Sequence, residues 1–141
     1  MKISDKFHLE DINKLKNTVL TGKTEDIKWR IQHINIVSKL LDENKKEIIK
    51  SLFVDLGKSE IEGLSEILLV KEEISLIKKR LNSWMRPKKI TTPFYLFPSS
   101  SRVIYEPLGC VLILGPYNYP LLYILKPLVN IFSAGNTAVL K

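Results

Sequence analysis

Two short apolar runs, Cys110 to Leu114 and Thr137 to Leu140, flank a helical stretch that opens at Pro120. An unbroken apolar run is the pattern of a strand covered on both faces, as in a parallel sheet. Gly115-Pro116 ends the first run, Pro120 suits the first position of a helix, and Gly135 suits its end. The helix body is therefore expected over Leu121 to Ser133. Pro127 inside it predicts a kink. Strand, helix and strand joined by turns this tight make a βαβ unit, whose two strands run parallel and finish on the same edge.

In open α/β sheets the ligand crevice lies outside the carboxyl ends of the strands. That edge receives "GPYN" from the first strand and Lys141 from the second, so topology alone brings Asn118 and Lys141 toward one place. The Asn118 amide is a neutral donor on a proline-braced turn, suited to an oxygen that becomes negative during a reaction. Lys141 is a charged donor suited to a ribose hydroxyl or a phosphate. Both residues also fit plainer roles, an Asx-type turn and a strand-end charge kept in water. Neither G-x-G-x-x-G nor G-x-x-x-x-G-K-[ST] is present, which excludes the usual dinucleotide fingerprint and the P-loop.

Upstream, residues 1–91 read as helices. Thr24 is placed to cap a helix whose apolar positions Ile27, Ile31, Ile34, Val37 and Leu41 share one face. Asn44 and Glu47 form a capping pair for a second helix, which Gly57 ends. Ser59 and Glu62 have capping-box spacing for a third, running through Leu64, Ile67, Val70, Ile74, Ile77, Leu81 and Trp84, with Pro87 just past its end. Most of the net charge of +7 belongs to this part, because from Thr92 onward the only charged residues are Arg102, Glu106, Lys126 and Lys141. Lysines alternate with acids along helical patterns, as on solvated helix faces, and no basic stripe interleaved with aromatics calls for nucleic acid.

The stretch "ITTPFYLFPSSS" holds two prolines and a serine run, so it reads as an edge strand or a connector. The uncharged span from Pro107 to Leu125 reaches membrane-crossing length, but three prolines, two glycines and Asn118 argue against a lipid-exposed helix. A single cysteine, Cys110, fits a reducing compartment and allows no disulfide within the chain. It lies inside an apolar run with no adjacent base and is not read as a nucleophile. His8 and His33 lack a partner at ligand spacing and read as surface or packing residues, so no metal is expected.

The segment "EPLGCVLILGPYNYPLLYILKPLVNIFSAGNTAVLK" resembles the start of the cofactor domain of NAD(P)-dependent aldehyde dehydrogenases, above all the class 3 branch acting on fatty and aromatic aldehydes. That branch has an "EPLG" turn, a "G-x-W-N-Y-P" loop and an "AAGN…VLK" strand. "DLGKSEIEGLSEILLVKEEI" resembles its "DLGKS…SEI…V…EI" helix pair. The resemblance runs from about Trp29 to Lys141 and covers roughly the first third of a family member. Tyr117 stands where Trp is usual, and "SAGN" where "AAGN" is usual.

The fold class this implies is α/β: N-terminal helices, then the first βαβ unit of an open, Rossmann-like parallel sheet, truncated. Residues 1–88 would be the helical segment, 89–102 a bridging strand and connector, and 103–141 the start of the cofactor domain. The resemblance assigns Asn118 as donor to the oxyanion of a thiohemiacetal and Lys141 to the adenosine ribose hydroxyls. Gly115, Pro116 and Tyr117 would line the cleft for NAD or NADP. It also implies an aldehyde substrate, a homodimer formed through the helices and the bridging region around Ile90 to Phe97, and a cytoplasmic enzyme. The family's catalytic Cys and Glu lie downstream of the "VLK" strand, so the 141 residues alone are expected to be inactive. The alternative is a non-catalytic truncated chain that pairs with a full-length subunit.

Overall fold

The computed structural model describes residues 9–141, so His8 lies outside the described residues. Four helices come first: α1 (Leu9–Leu20), α2 (Ile27–Glu43), α3 (Lys45–Leu56) and α4 (Glu60–Trp84). A short antiparallel hairpin follows, formed by β1 (Lys88–Ile90) and β2 (Ser101–Val103). The chain closes with β3 (Cys110–Ile113), α5 (Pro120–Ser133) and β4 (Thr137–Leu140), and β3 pairs with β4 in parallel, Cys110 opposite Thr137 and Ile113 opposite Leu140. The architecture is α/β, with a helical segment ahead of one βαβ unit.

The apolar stripes read from the sequence form the core. Ile34, Val37 and Leu41 of α2 meet Ile67, Val70, Ile74, Ile77 and Leu81 of α4, and Leu128 and Val129 of α5 complete the cluster with Ile113. Burying each such side chain contributes about 1.5–3 kcal/mol, so the helices and the βαβ unit are held by one shared core. The strand faces are covered less fully than an unbroken apolar run predicts: Ile113 is buried, but Leu112 and Leu114 are exposed. Among the described residues this sheet has two strands, so its outer positions have no neighbour to cover them. α1 lies across the pair, and Thr137 Oγ1 donates to the Leu15 carbonyl at 3.1 Å.

Helix boundaries follow local chemistry, with two corrections. Asp26, not Thr24, caps α2 by accepting from the Lys28 N–H; Thr24 is buried in the preceding 3-10 turn, where its hydroxyl has no partner. Asn44 precedes α3, but its side chain turns back and donates to the Leu40 carbonyl, closing α2 instead. Gly57 ends α3 at φ +67°, and the Ser59–Glu62 capping box is formed in both directions. α5 begins at Pro120 as expected and continues as helix through Pro127.

The segment after Ile90 is not a longer strand. Pro93 leads into a 3-10 turn over Phe94–Leu96, and Phe94, Tyr95 and Phe97 stand exposed. No helix among the described residues is long and apolar enough to cross a membrane.

Candidate functional site

β3 and β4 end side by side, and the ladder continues one step past both strands. The Gly115 N–H donates to the Lys141 carbonyl at 2.9 Å, and the Lys141 N–H donates to the Ile113 carbonyl at 2.9 Å. Gly115 and Lys141 are thus neighbours on the carboxyl edge. A Cβ on Gly115 would lie 2.5 Å from Ile124 Cγ1, so the glycine is what lets α5 lie this close to the strand end. Pro116, Tyr117 and Asn118 form the exposed turn into α5, and Lys141 is exposed beside the same edge. The Asn118 amide makes no hydrogen bond to another described residue, which leaves its donors available. Next to the turn, Tyr117, Pro120, Leu121 and Ile124 line one side of a groove of about 650 Å³, with Ile48 and Leu52 of α3 on the other.

The turn does not hold itself. Tyr119 occupies the cap position of α5 without a side-chain cap bond, and Pro120 has no N–H. The third helical residue, Leu122, donates its N–H at 3.0 Å to Glu66 Oε2, a carboxylate on α4 that is fully buried. Its other oxygen pairs with Lys58, whose Nζ lies 3.8 Å from the centre of the Tyr119 ring. Tyr119 in turn packs edge-on against Tyr123.

The far end of α5 is held in a matching way. Arg30 Nη1 donates to the Ser133 carbonyl at 2.9 Å and Nε to the Thr24 carbonyl at 2.8 Å. Burial pulls the Arg30 guanidinium below its ordinary pKa, while the Glu25 carboxylate pushes the other way. His33 is a packing residue, stacked on Trp29 at 3.9 Å and bonded through Nδ1 to the Trp29 carbonyl.

Gly115 and Lys141 are therefore brought into contact through their backbones, and the turn carrying Pro116, Tyr117 and Asn118 rises beside them. Cys110 lies at the opposite end of β3, half-buried and paired with Thr137. No cluster of His, Cys, Asp and Glu able to hold a metal exists among the described residues. Lys58 and Glu66 lie within the "DLGKS…SEI" stretch but received no role from it, and Arg30 lies outside any motif read. The signal for Glu66 and Arg30 is position: Glu66 lies four residues before Val70, and Arg30 four before Ile34, each a charge on an otherwise apolar stripe.

Comparison with known proteins bears on the same stretch. A family model described as "Aldehyde dehydrogenase family" matches residues 18–141. The 4,4'-diaponeurosporen-aldehyde dehydrogenase of Staphylococcus aureus is 38% identical over 86% of this chain and 27% of its own length. Aldehyde dehydrogenase family 3 member I1, chloroplastic, of Arabidopsis thaliana is 36% identical over 92% of this chain and 24% of its own. The chain thus spans about a quarter of the length of these relatives. The substrate-bound structure of Staphylococcus aureus AldH superposes with a TM-score of 0.88 at 34% identity, over 93% of this chain and 29% of that one.

Proposed function

The chain belongs to the aldehyde dehydrogenase family, and on that footing we propose that it forms the amino-terminal part of an oxidoreductase that converts an aldehyde to a carboxylic acid with NAD+ or NADP+. The observation that carries this reading is the carboxyl edge of the βαβ unit, where Asn118 offers an unengaged amide beside Gly115 and Lys141. Asn118 donates to the aldehyde oxygen as it becomes negative, holding it through the step in which charge develops.

The edge fits a dinucleotide. Lys141 brings an exposed ammonium with no carboxylate partner among the described residues, on a backbone fixed by the ladder. It would hold the ribose hydroxyls of the adenosine half, with the backbone of Gly115, Pro116 and Tyr117 lining the cleft. When bound, the cofactor supplies the hydride acceptor. The groove between α3 and the first turn of α5 is walled mainly by apolar side chains and suits the hydrocarbon part of an aldehyde.

Oxidation of this kind also needs a thiolate to attack the carbonyl and a base to activate water. Cys110 does not serve as that thiol, since it sits at the start of β3, away from the carboxyl edge. On this reading both groups would be supplied from outside these 141 residues, which would contribute the oxyanion donor and part of the cofactor cleft. The lone cysteine fits a reducing, cytoplasmic setting.

The exposed arm of Phe94, Tyr95 and Phe97 favours pairing between copies of the chain, as a homodimer. It equally suits a second reading, a non-catalytic chain that docks on a longer subunit; co-purification with that subunit and no turnover alone is its mark.

Asn118→Ala in the full-length polypeptide tests the main reading. Aldehyde-dependent NAD(P)H formation should fall about 10²–10³-fold in kcat, the usual loss for one oxyanion donor. An unchanged kcat removes Asn118 from the reaction.

A further inference from the structure

We infer that Glu66 is the residue that positions Asn118, by capping α5 from the side in place of the turn's own residues. The inference rests on the oxidoreductase reading above for the role of Asn118. The helix start is short of caps: Tyr119 makes no side-chain cap bond, Pro120 has no N–H, and the free donors of the first turn must find acceptors elsewhere. The nearest side-chain amide in sequence is that of Asn118, one residue before the cap position. Glu66 occupies the Leu122 N–H instead, at 3.0 Å. Asn118 is thereby not tied to the helix through its Oδ1, and its Nδ2 donors can face away from the first turn.

The same carboxylate reaches the turn twice. Oε2 holds Leu122, on the helix side of Asn118, and Oε1 pairs with Lys58, whose ammonium sits over the Tyr119 ring. Residues 119 and 122 are therefore clamped by one ion pair anchored on α4 and on the loop before it. A fully buried carboxylate is a poor device for stability alone, because a well-packed apolar side chain commonly does as well or better. Its specific effect is geometric: it fixes where the first turn of α5 begins, and with it the approach of residues 117–119.

Two variants of the full-length protein test this, Glu66→Gln, which keeps a carbonyl acceptor for Leu122, and Glu66→Leu, which does not. Amide exchange by mass spectrometry should rise about tenfold over residues 117–123 in Glu66→Leu, the loss of one hydrogen bond, and stay as it was over residues 70–81. In the same variant kcat should fall while KM for the aldehyde holds, and Glu66→Gln should restore most of both. Lys58→Met should raise exchange over residues 117–123 as well, so the test survives a Glu66→Leu protein that does not fold. Exchange at 117–123 unchanged in the folded variants, or raised evenly along the chain, overturns the positioning role. The exchange result stands apart from turnover: a wild-type protein without aldehyde oxidation defeats the functional reading and leaves the clamp decided by exchange alone.

Discussion

α4 and α5 are both well-formed helices, but they are begun and ended by different means. α4 supplies its own start: Ser59 accepts from the Glu62 N–H, Glu62 accepts from the Ser59 N–H, and the whole box is solvent-exposed. α5 borrows its start and shares its end, where Gly135 closes the last turn locally with the Asn136 N–H on the Ile131 carbonyl. Its first turn is bonded to Glu66, 56 positions away, and its last to Arg30, 103 positions away. The signs suit the helix dipole, a carboxylate at the amino end and a guanidinium at the carboxyl end. A local cap makes a helix wherever that sequence happens to be. Remote caps make a helix only in one place relative to the rest, and so fix where the turn carrying Asn118 stands.

The contrast can be broken most severely at the carboxyl end of α5. Gly135 has φ +79°, and a Cβ there would lie 2.6 Å from Arg30 Nη2 and 2.9 Å from the Thr24 carbonyl. Gly135→Ala is expected to destabilise the protein by about 3 kcal/mol, from left-handed strain together with overpacking. Urea unfolding would read this, and a loss below about 1 kcal/mol would mean that Arg30 gives way freely. At the local cap the effect is smaller: Ser59→Ala should cost about 1 kcal/mol and loosen amide exchange only in the first turn of α4, leaving residues 117–123 as they were.

The smallest effect is acid sensitivity. Hydrogen bonds from the Ser59 backbone and then its side chain, with Lys58 nearby, hold the Glu62 carboxyl below the ordinary glutamate pKa. A depressed folded-state pKa stabilises above the unfolded value and is lost as pH falls through the folded one. Protection of the first turn of α4, taken relative to the intrinsic exchange rate at each pH, should therefore fall on acidification below about pH 4, and Glu62→Gln should abolish that dependence. A dependence that survives Glu62→Gln would assign it to another carboxylate.

What was legible in the sequence divides along the same line. The Ser59–Glu62 box, the Gly57 stop and the Pro120 start depend on residues within one turn of each other, and all three form as read. The parallel pairing of β3 and β4 was legible because a strand, a helix and a strand with short turns leave little choice. Thr24 and Asp26 are both cap-type residues two apart, and the choice fell to Asp26 because the core takes Thr24 and Arg30 takes its carbonyl. Glu66 and Arg30 were visible as charges on apolar stripes, but their partners lie on an element whose place is set by the whole fold. The β1–β2 hairpin was legible only in part: an edge or bridging strand was read near Ile90, but each strand is three residues long and its partner is not marked in the sequence.

The remote capping of α5 also imposes an order of assembly. A chain leaves the ribosome amino end first, so Arg30, Lys58 and Glu66 are in solution well before Leu122 and Ser133 are made. α4 can close its first turn as soon as residues 59–62 emerge. α5 gains its opening bond only against Glu66 of an α4 made before it, so the turn bearing Asn118 is moulded on a surface that precedes it.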